Sequence, residues 1–80
     1  MTREIAQFIE LSGKVLLGVI TDDELTPADL AQVGVTDQSI LRVNRQGDIE
    51  LRRRDGWDLI GGLLGNFEDR LRRHTGLNWA

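Results

Sequence analysis

The sequence predicts one small α+β domain spanning residues 1–80, in the order helix, short helix, β-hairpin, helix, with two long amphipathic helices packed on the apolar face of the hairpin. Three observations predict it. Apolar residues recur every three or four positions near both ends of the chain, which is the spacing of one helix face. A Thr-Pro pair between them is a helix start signal. Residues 41–52 alternate between apolar and polar side chains, which is typical of paired strands.

The first helix is predicted to run to about Ile20, with Thr2 as its N-cap. Its stripe consists of Ile5, Phe8, Ile9, Ser12, Leu16, Val19 and Ile20. Gly13 and Gly18 each cost roughly 1 kcal/mol in a helix relative to Ala, so the prediction includes a possible break at Ser12-Gly13. A strand over residues 14–20 is the alternative, because that run is rich in branched side chains.

The short helix is predicted to start at Thr26-Pro27 and to end at Gly34. Thr26 is a capping residue, Pro27 suits the first helical position, and Asp29 places negative charge in the first turn. The preceding residues 22–24 are all acidic and read as a solvated connector.

The hairpin is predicted over residues 41–52, with a turn at residues 44–48 that contains Gly47. The core face takes Leu41, Val43, Ile49 and Leu51, and the outer face takes Arg42, Glu50, Arg52 and Arg54. Arg53 is expected on the same side as Leu51. A two-stranded hairpin alone is marginal in water, so this one needs helices or another chain to cover it.

The last helix is predicted from an N-cap at Asp55 to a C-terminal Gly76. Its stripe consists of Trp57, Ile60, Leu64, Phe67 and Leu71. Gly61 and Gly65 are four residues apart and would share one face of this helix. Close packing within the chain is the favoured reading of these glycines, contact with a second chain is the next, and a bound ligand is the third.

Size and composition restrict the classes of protein. An 80-residue chain without cysteine has a small core and no disulfide or thiolate metal site to support it. Residues 1–40 carry two basic and seven acidic side chains (−5), and residues 41–80 carry eight and six (+2), which sum to the formal charge of −3. Such asymmetry can mark a surface that pairs with a partner or with a second copy. The longest apolar run is too short to span a bilayer, so we expect a cytoplasmic protein without membrane contact.

The sequence predicts no catalytic, cofactor-binding or metal-binding residues. His74 is the only histidine, cysteine and tyrosine are absent, and neither Ser12 nor Ser39 has the surroundings of a nucleophile. We therefore expect a non-catalytic interaction or regulatory module that binds a protein partner or forms a homodimer.

The predicted interaction surface consists of Arg42, Arg45, Arg52, Arg54, Trp57, Gly61, Gly65 and Trp79. Arginine and tryptophan are both enriched at protein interfaces. Trp79 is expected to fold back on the core rather than to anchor a partner. Nucleic-acid binding through the hairpin arginines is the second hypothesis, and a small-ligand protein or an enzyme accessory subunit is the third.

Overall fold

In a computed structural model, which describes residues 7–77 and 79, four antiparallel strands form one sheet with three short helices. The sheet has the strand order β1-β2-β3-β4, so each strand pairs with its neighbour in sequence. The elements are β1 (Phe8–Ser12), α1 (Gly13–Val19), α2 (Pro27–Gln32), β2 (Ile40–Asn44), β3 (Asp48–Arg53), β4 (Gly56–Gly62) and α3 (Phe67–Thr75). The predicted arrangement of two long helices on a two-stranded hairpin is therefore wrong.

The long first helix is replaced by a strand and a two-turn helix. Ile9 and Leu11 point into the core from β1, opposite Val43 and Leu41 of β2. The strand ends at Ser12, whose hydroxyl caps α1 by accepting a hydrogen bond from the Val15 amide. The alternative of a strand over residues 14–20 is also wrong, since most of that run is α1. The predicted cap Thr2 and the stripe residue Ile5 lie outside the described residues.

Close backbone approach explains the glycine at the start of α1. The Gly13 amide donates to the Ser39 carbonyl at 2.9 Å, and a Cβ at Gly13 would lie 1.9 Å from the Thr36 carbonyl oxygen. Only glycine permits the chain to pass from β1 into α1 while the segment before β2 runs so close. The helical spacing of the apolar residues gives no indication of this backbone contact.

The predicted last helix is also divided. Residues 56–62 form β4 against β3, and Asp55, the predicted N-cap, lies in the turn before this strand. Gly65 has φ of +63°, a left-handed conformation that interrupts any helix at that point. Only the last nine residues of the predicted helix are helical, and they end at Gly76 in the left-handed C-cap that the sequence predicts.

Two local predictions are confirmed. The Thr26 hydroxyl accepts from the Asp29 amide at 3.1 Å and the Asp29 carboxylate accepts from the Thr26 amide at 3.0 Å, which is a complete capping box for α2. The hairpin of β2 and β3 is present, and Leu41, Val43, Ile49 and Leu51 share its core face as predicted, with Leu41 opposite Leu51 and Val43 opposite Ile49.

The core lies on one side of the sheet. Two rows cross three strands, Leu11–Leu41–Leu51 and Ile9–Val43–Ile49, and all six side chains are buried. Leu16, Val19, Leu30, Leu63, Leu71 and Trp79 cover them. Among the described residues, no helix has the length and apolar character that crossing a bilayer requires.

A buried ion pair ties the connector before α2 to α3. Arg70 Nη2 lies 2.5 Å from Glu24 Oε2, and the Glu24 side chain is 1% exposed. Arg70 also donates to the carbonyl oxygens of Val19 and Leu64. Glu24 accepts from the amides of Thr21 and Leu64. The reading of residue 24 as part of a solvated connector is therefore wrong, because its carboxylate organises three segments.

This pair makes the stability depend on pH. Burial raises the pKa of Glu24, but the hydrogen bonds from Arg70 and from the Leu64 and Thr21 amides, with the charge of Arg70, outweigh it and lower the pKa from 4.5 to about 2. A carboxyl whose pKa is lower in the folded state stabilises the fold above its unfolded value, and this contribution disappears as the pH falls from about 4.5 to about 2.

We expect Glu24→Gln to lower the free energy of unfolding at pH 7 by about 3 kcal/mol, since each pKa unit corresponds to about 1.4 kcal/mol. Urea denaturation from pH 7 to pH 2 should show the difference from the unsubstituted chain shrinking below pH 4.5. Asp22→Asn, an exposed acid of the same connector, is the control and should change little. A constant difference across this range would contradict the assignment.

Candidate interaction surface on the open sheet face

The second face of the sheet has no helix packed on it in the part of the chain that the structure describes. Residues directly opposite each other in paired strands share a face, so the register assigns its members. We call this surface the open sheet face; it consists of Phe8, Glu10, Ile40, Arg42, Asn44, Asp48, Glu50, Arg52, Trp57 and Leu59.

Arg42 is the centre of the open sheet face. Its guanidinium carbon lies 3.7 Å from the ring centroid of Phe8 and 4.2 Å from that of Trp57, so the cation is held between two aromatic rings. Its Nε donates to Glu50 Oε1 at 2.6 Å. Each cation–π contact at an exposed site contributes about 0.5–1 kcal/mol. The pair and the two rings therefore form an ordered cluster on a rigid sheet.

Apolar side chains surround this cluster. Ile40 is 52% exposed and Leu59 is 62% exposed, and Phe8 of the cluster itself is 36% exposed. Isolated exposed apolar residues are ordinary on protein surfaces, but several on one flat face are typical of a docking surface. Trp57, which is half-buried, lies opposite Arg52 on the neighbouring strand, and the Arg52 guanidinium is 5.4 Å from its ring.

The charges of the open sheet face nearly cancel. Glu10, Asp48 and Glu50 oppose Arg42 and Arg52, which gives a formal charge of −1. Arg42 is already paired with Glu50. A surface with this balance attracts a protein surface of mixed charge more readily than it attracts a polyanion.

The structure brings together Arg42, Arg52 and Trp57 of the predicted surface residues. Arg45 lies in the turn between β2 and β3, and Arg54 lies in the turn between β3 and β4, so both are at the ends of the sheet. The prediction of Arg54 as a strand residue of the outer face is wrong. Arg53 is on the helix side, as predicted, and donates to the Val33 carbonyl and to Asp58.

The remaining predicted surface residues lie elsewhere. Gly61 is in β4, where a Cβ would lie 3.0 Å from Leu25 Cδ1, and Gly65 is in the following turn, so they do not share a helix face. Of the two glycines, only Gly61 is packed closely within the chain, which was the favoured interpretation for both. Trp79 folds back as predicted: it is 6% exposed, its indole nitrogen donates to the Val43 carbonyl at 3.0 Å, and it contacts Phe67 edge to face.

Sequence reasoning missed six members of the face. Phe8, Glu10, Ile40 and Leu59 were not assigned to it, and Asn44 and Asp48 were assigned to the hairpin turn. Phe8 and Leu59 were not assigned to this face because the residues of β1 and β4 were predicted to be helical. Trp57 and Leu59 are two residues apart between glycines, and this short alternation was the available signal for β4.

A depression lies between α1 and α2, away from the open sheet face. It has a volume of about 100 Å³ and is lined mainly by Leu17, Pro27, Leu30 and Val35. Pockets that enclose small molecules are about 300–1,000 Å³. Within residues 7–77 and 79, no group of three or more acidic, histidine or cysteine side chains is placed to hold a metal ion.

Comparisons with known proteins identify no relative of this chain. No family model matches it, and neither the curated proteins nor the solved structures give a significant match.

The two tryptophans should differ in what their removal costs. Trp79→Ala is expected to lower the free energy of unfolding by about 3 kcal/mol or more, because it empties a buried site. Trp57→Ala should cost about 1 kcal/mol, because it removes contacts at a half-exposed site. Urea denaturation followed by far-ultraviolet circular dichroism measures both. Equal costs, or a larger cost for Trp57→Ala, would contradict the assignment of the two faces.

Proposed function

We propose that the chain is a non-catalytic protein-interaction module that binds a protein surface through the open sheet face. The observation that carries the proposal is the cluster of Arg42 between Phe8 and Trp57, bordered by exposed Ile40 and Leu59. Binding energy at interfaces is concentrated in aromatic and arginine side chains surrounded by apolar contacts, and this cluster has that composition.

Pre-organisation supports the proposal further. The Arg42 guanidinium is fixed by two rings and a carboxylate, so a partner would not have to order a long flexible side chain on binding. Ordering such a side chain costs about 0.5–1.5 kcal/mol. The proposed partner surface offers apolar groups to Ile40 and Leu59 and both signs of charge to the ionic residues.

The non-catalytic part of the proposal has separate support. His74, the single histidine, is exposed near the end of α3, where it complements the helix dipole. The depression between α1 and α2 is smaller than a usual substrate pocket. A cytoplasmic location is also part of the proposal, and fractionation of cells that produce the chain tests it.

The nucleic-acid hypothesis has weaker support. The Arg42 charge is satisfied by Glu50, and Glu10 and Asp48 add negative charge to the same face. Salt-sensitive binding of a generic oligonucleotide that Arg52→Ala weakens would favour this hypothesis over protein binding.

We expect Leu59→Asp to abolish partner binding, since it places a charge in the apolar part of the open sheet face. Leu64→Asp is the matched control, because Leu64 is exposed to nearly the same extent, 59% against 62%, but lies beyond β4 in the loop before α3. Each variant is immobilised and exposed to an extract of the source cells, with a differently tagged second copy of the chain added.

Proteins retained by the unsubstituted chain and by Leu64→Asp, but lost with Leu59→Asp, are purified and titrated against all three. A measurable dissociation constant that only Leu59→Asp weakens supports the proposal. Thermal unfolding of both variants confirms that they are folded. Retention that is indifferent to Leu59→Asp would contradict the proposal.

A further inference from the structure

We infer that the turn between β3 and β4 is a modification site, at which Asp55 converts spontaneously to isoaspartate through a cyclic succinimide formed with Gly56. Asp55 is the only one of the eight aspartates in the sequence that is followed by glycine, and no asparagine precedes a glycine. The chemistry needs no partner molecule, so it is independent of the proposed function.

The reaction requires only the chain and water. The backbone nitrogen of Gly56 attacks the carbon of the protonated Asp55 carboxyl group. A nitrogen–carbon bond forms, a carbon–oxygen bond breaks, and the amide proton leaves with the hydroxyl group as water. Water then opens the five-membered ring at either carbonyl. One opening restores aspartate, and the other gives isoaspartate, in which the main chain runs through the side-chain carbon.

The Asp55 carboxylate is free to approach the next amide. The side chain is exposed in the two-residue turn 54–55, and among the described residues no hydrogen bond or ion pair holds it. The carboxylates of Asp29, Asp48, Asp58 and Asp69 each accept a hydrogen bond that fixes their orientation. Exposed turns with unconstrained polar side chains are where a chain changes most readily.

The backbone of the turn requires the residue that makes the pair reactive. Gly56 has φ of +145°, a conformation that residues with a side chain rarely adopt. Without a Cβ, its nitrogen is unshielded, and the space beside it is open, because a Cβ built there would meet no atom within 4 Å. Asp22, Asp23 and Asp37 are also exposed, but each precedes a residue whose side chain shields the nitrogen.

Isoaspartate formation would alter the start of β4. The isoaspartyl linkage adds one methylene to the main chain between Arg53 and Gly56, which are the first paired residues of this hairpin. Loop length determines the turn and the register of the flanking strands. The added atom therefore displaces the first pairs, and with them the Arg52 guanidinium that lies 5.4 Å from the Trp57 ring.

Incubation of the folded chain at physiological temperature and pH tests the site. A Glu-specific protease then releases residues 51–68, and synthetic peptides with either linkage at residue 55 identify the product by chromatography and electron-transfer fragmentation. We expect isoaspartate at residue 55 to accumulate with time. Asp58, in the same peptide, should stay unchanged, because Arg53 holds its carboxylate and Leu59 follows it. Asp55→Asn should convert faster, since a neutral amide loses ammonia to give the same succinimide.

A second measurement tests the structural consequence. The isoaspartyl form, separated by chromatography, should have a lower Tm than the unmodified chain. Asp55→Glu keeps the charge but would need a less favourable six-membered ring, so its Tm should not change during the same incubation. The inference is overturned if the synthetic peptide of residues 51–68 forms isoaspartate while the folded chain forms none at residue 55. It is also overturned if Asp58 converts as fast as Asp55, or if the isoaspartyl form has an unchanged Tm.

Discussion

The register of the four strands is the constraint on which the rest of the structure depends. Because side chains alternate along a strand, pairing Leu11 with Leu41 and Leu41 with Leu51 fixes the face of every other residue in those strands. A shift by one residue would expose the two apolar rows of the core and bury Arg42 and Glu50. Such a shift would be strongly unfavourable in free energy. Arg42, its partner Glu50 and the rings of Phe8 and Trp57 therefore stay together on the opposite face.

All three helices pack on the same side of this sheet. Leu16, Leu30 and Leu71 reach the core from α1, α2 and α3, and the pair of Glu24 with Arg70 holds the intervening segments in place. In an 80-residue chain these short helices are sufficient to cover one face only. Within residues 7–77 and 79 the second face stays uncovered as a consequence of that geometry, and its aromatic, arginine and leucine side chains are the basis of the proposed binding to a protein partner.

Features encoded over a few residues were predictable from the sequence. The capping box of Thr26 and Asp29, the β2–β3 hairpin and the glycine cap of α3 all depend on neighbours within about ten residues. The strand β1 was not predictable in this way, because Ile9 and Leu11 are buried by β2, thirty or more residues away. The strand β4 was missed although it pairs with the strand directly before it, because its apolar residues also continue the helical spacing of the last segment. Phe8, Ile9 and Leu16 also fit a helical spacing by coincidence. The candidate site was found in part, since Arg42, Arg52 and Trp57 were selected, but the face that unites them follows only from the register.

The most direct test of this account is a set of nuclear Overhauser contacts between backbone protons of adjacent strands. The register predicts contacts between residues 8–12 and 40–44 and between residues 48–53 and 56–62. It also predicts weak contacts between successive amides within residues 8–12 and 56–62. Strong sequential amide contacts through both segments, with no cross-strand contacts, would show continuous helices there and would contradict both the sheet and its open face.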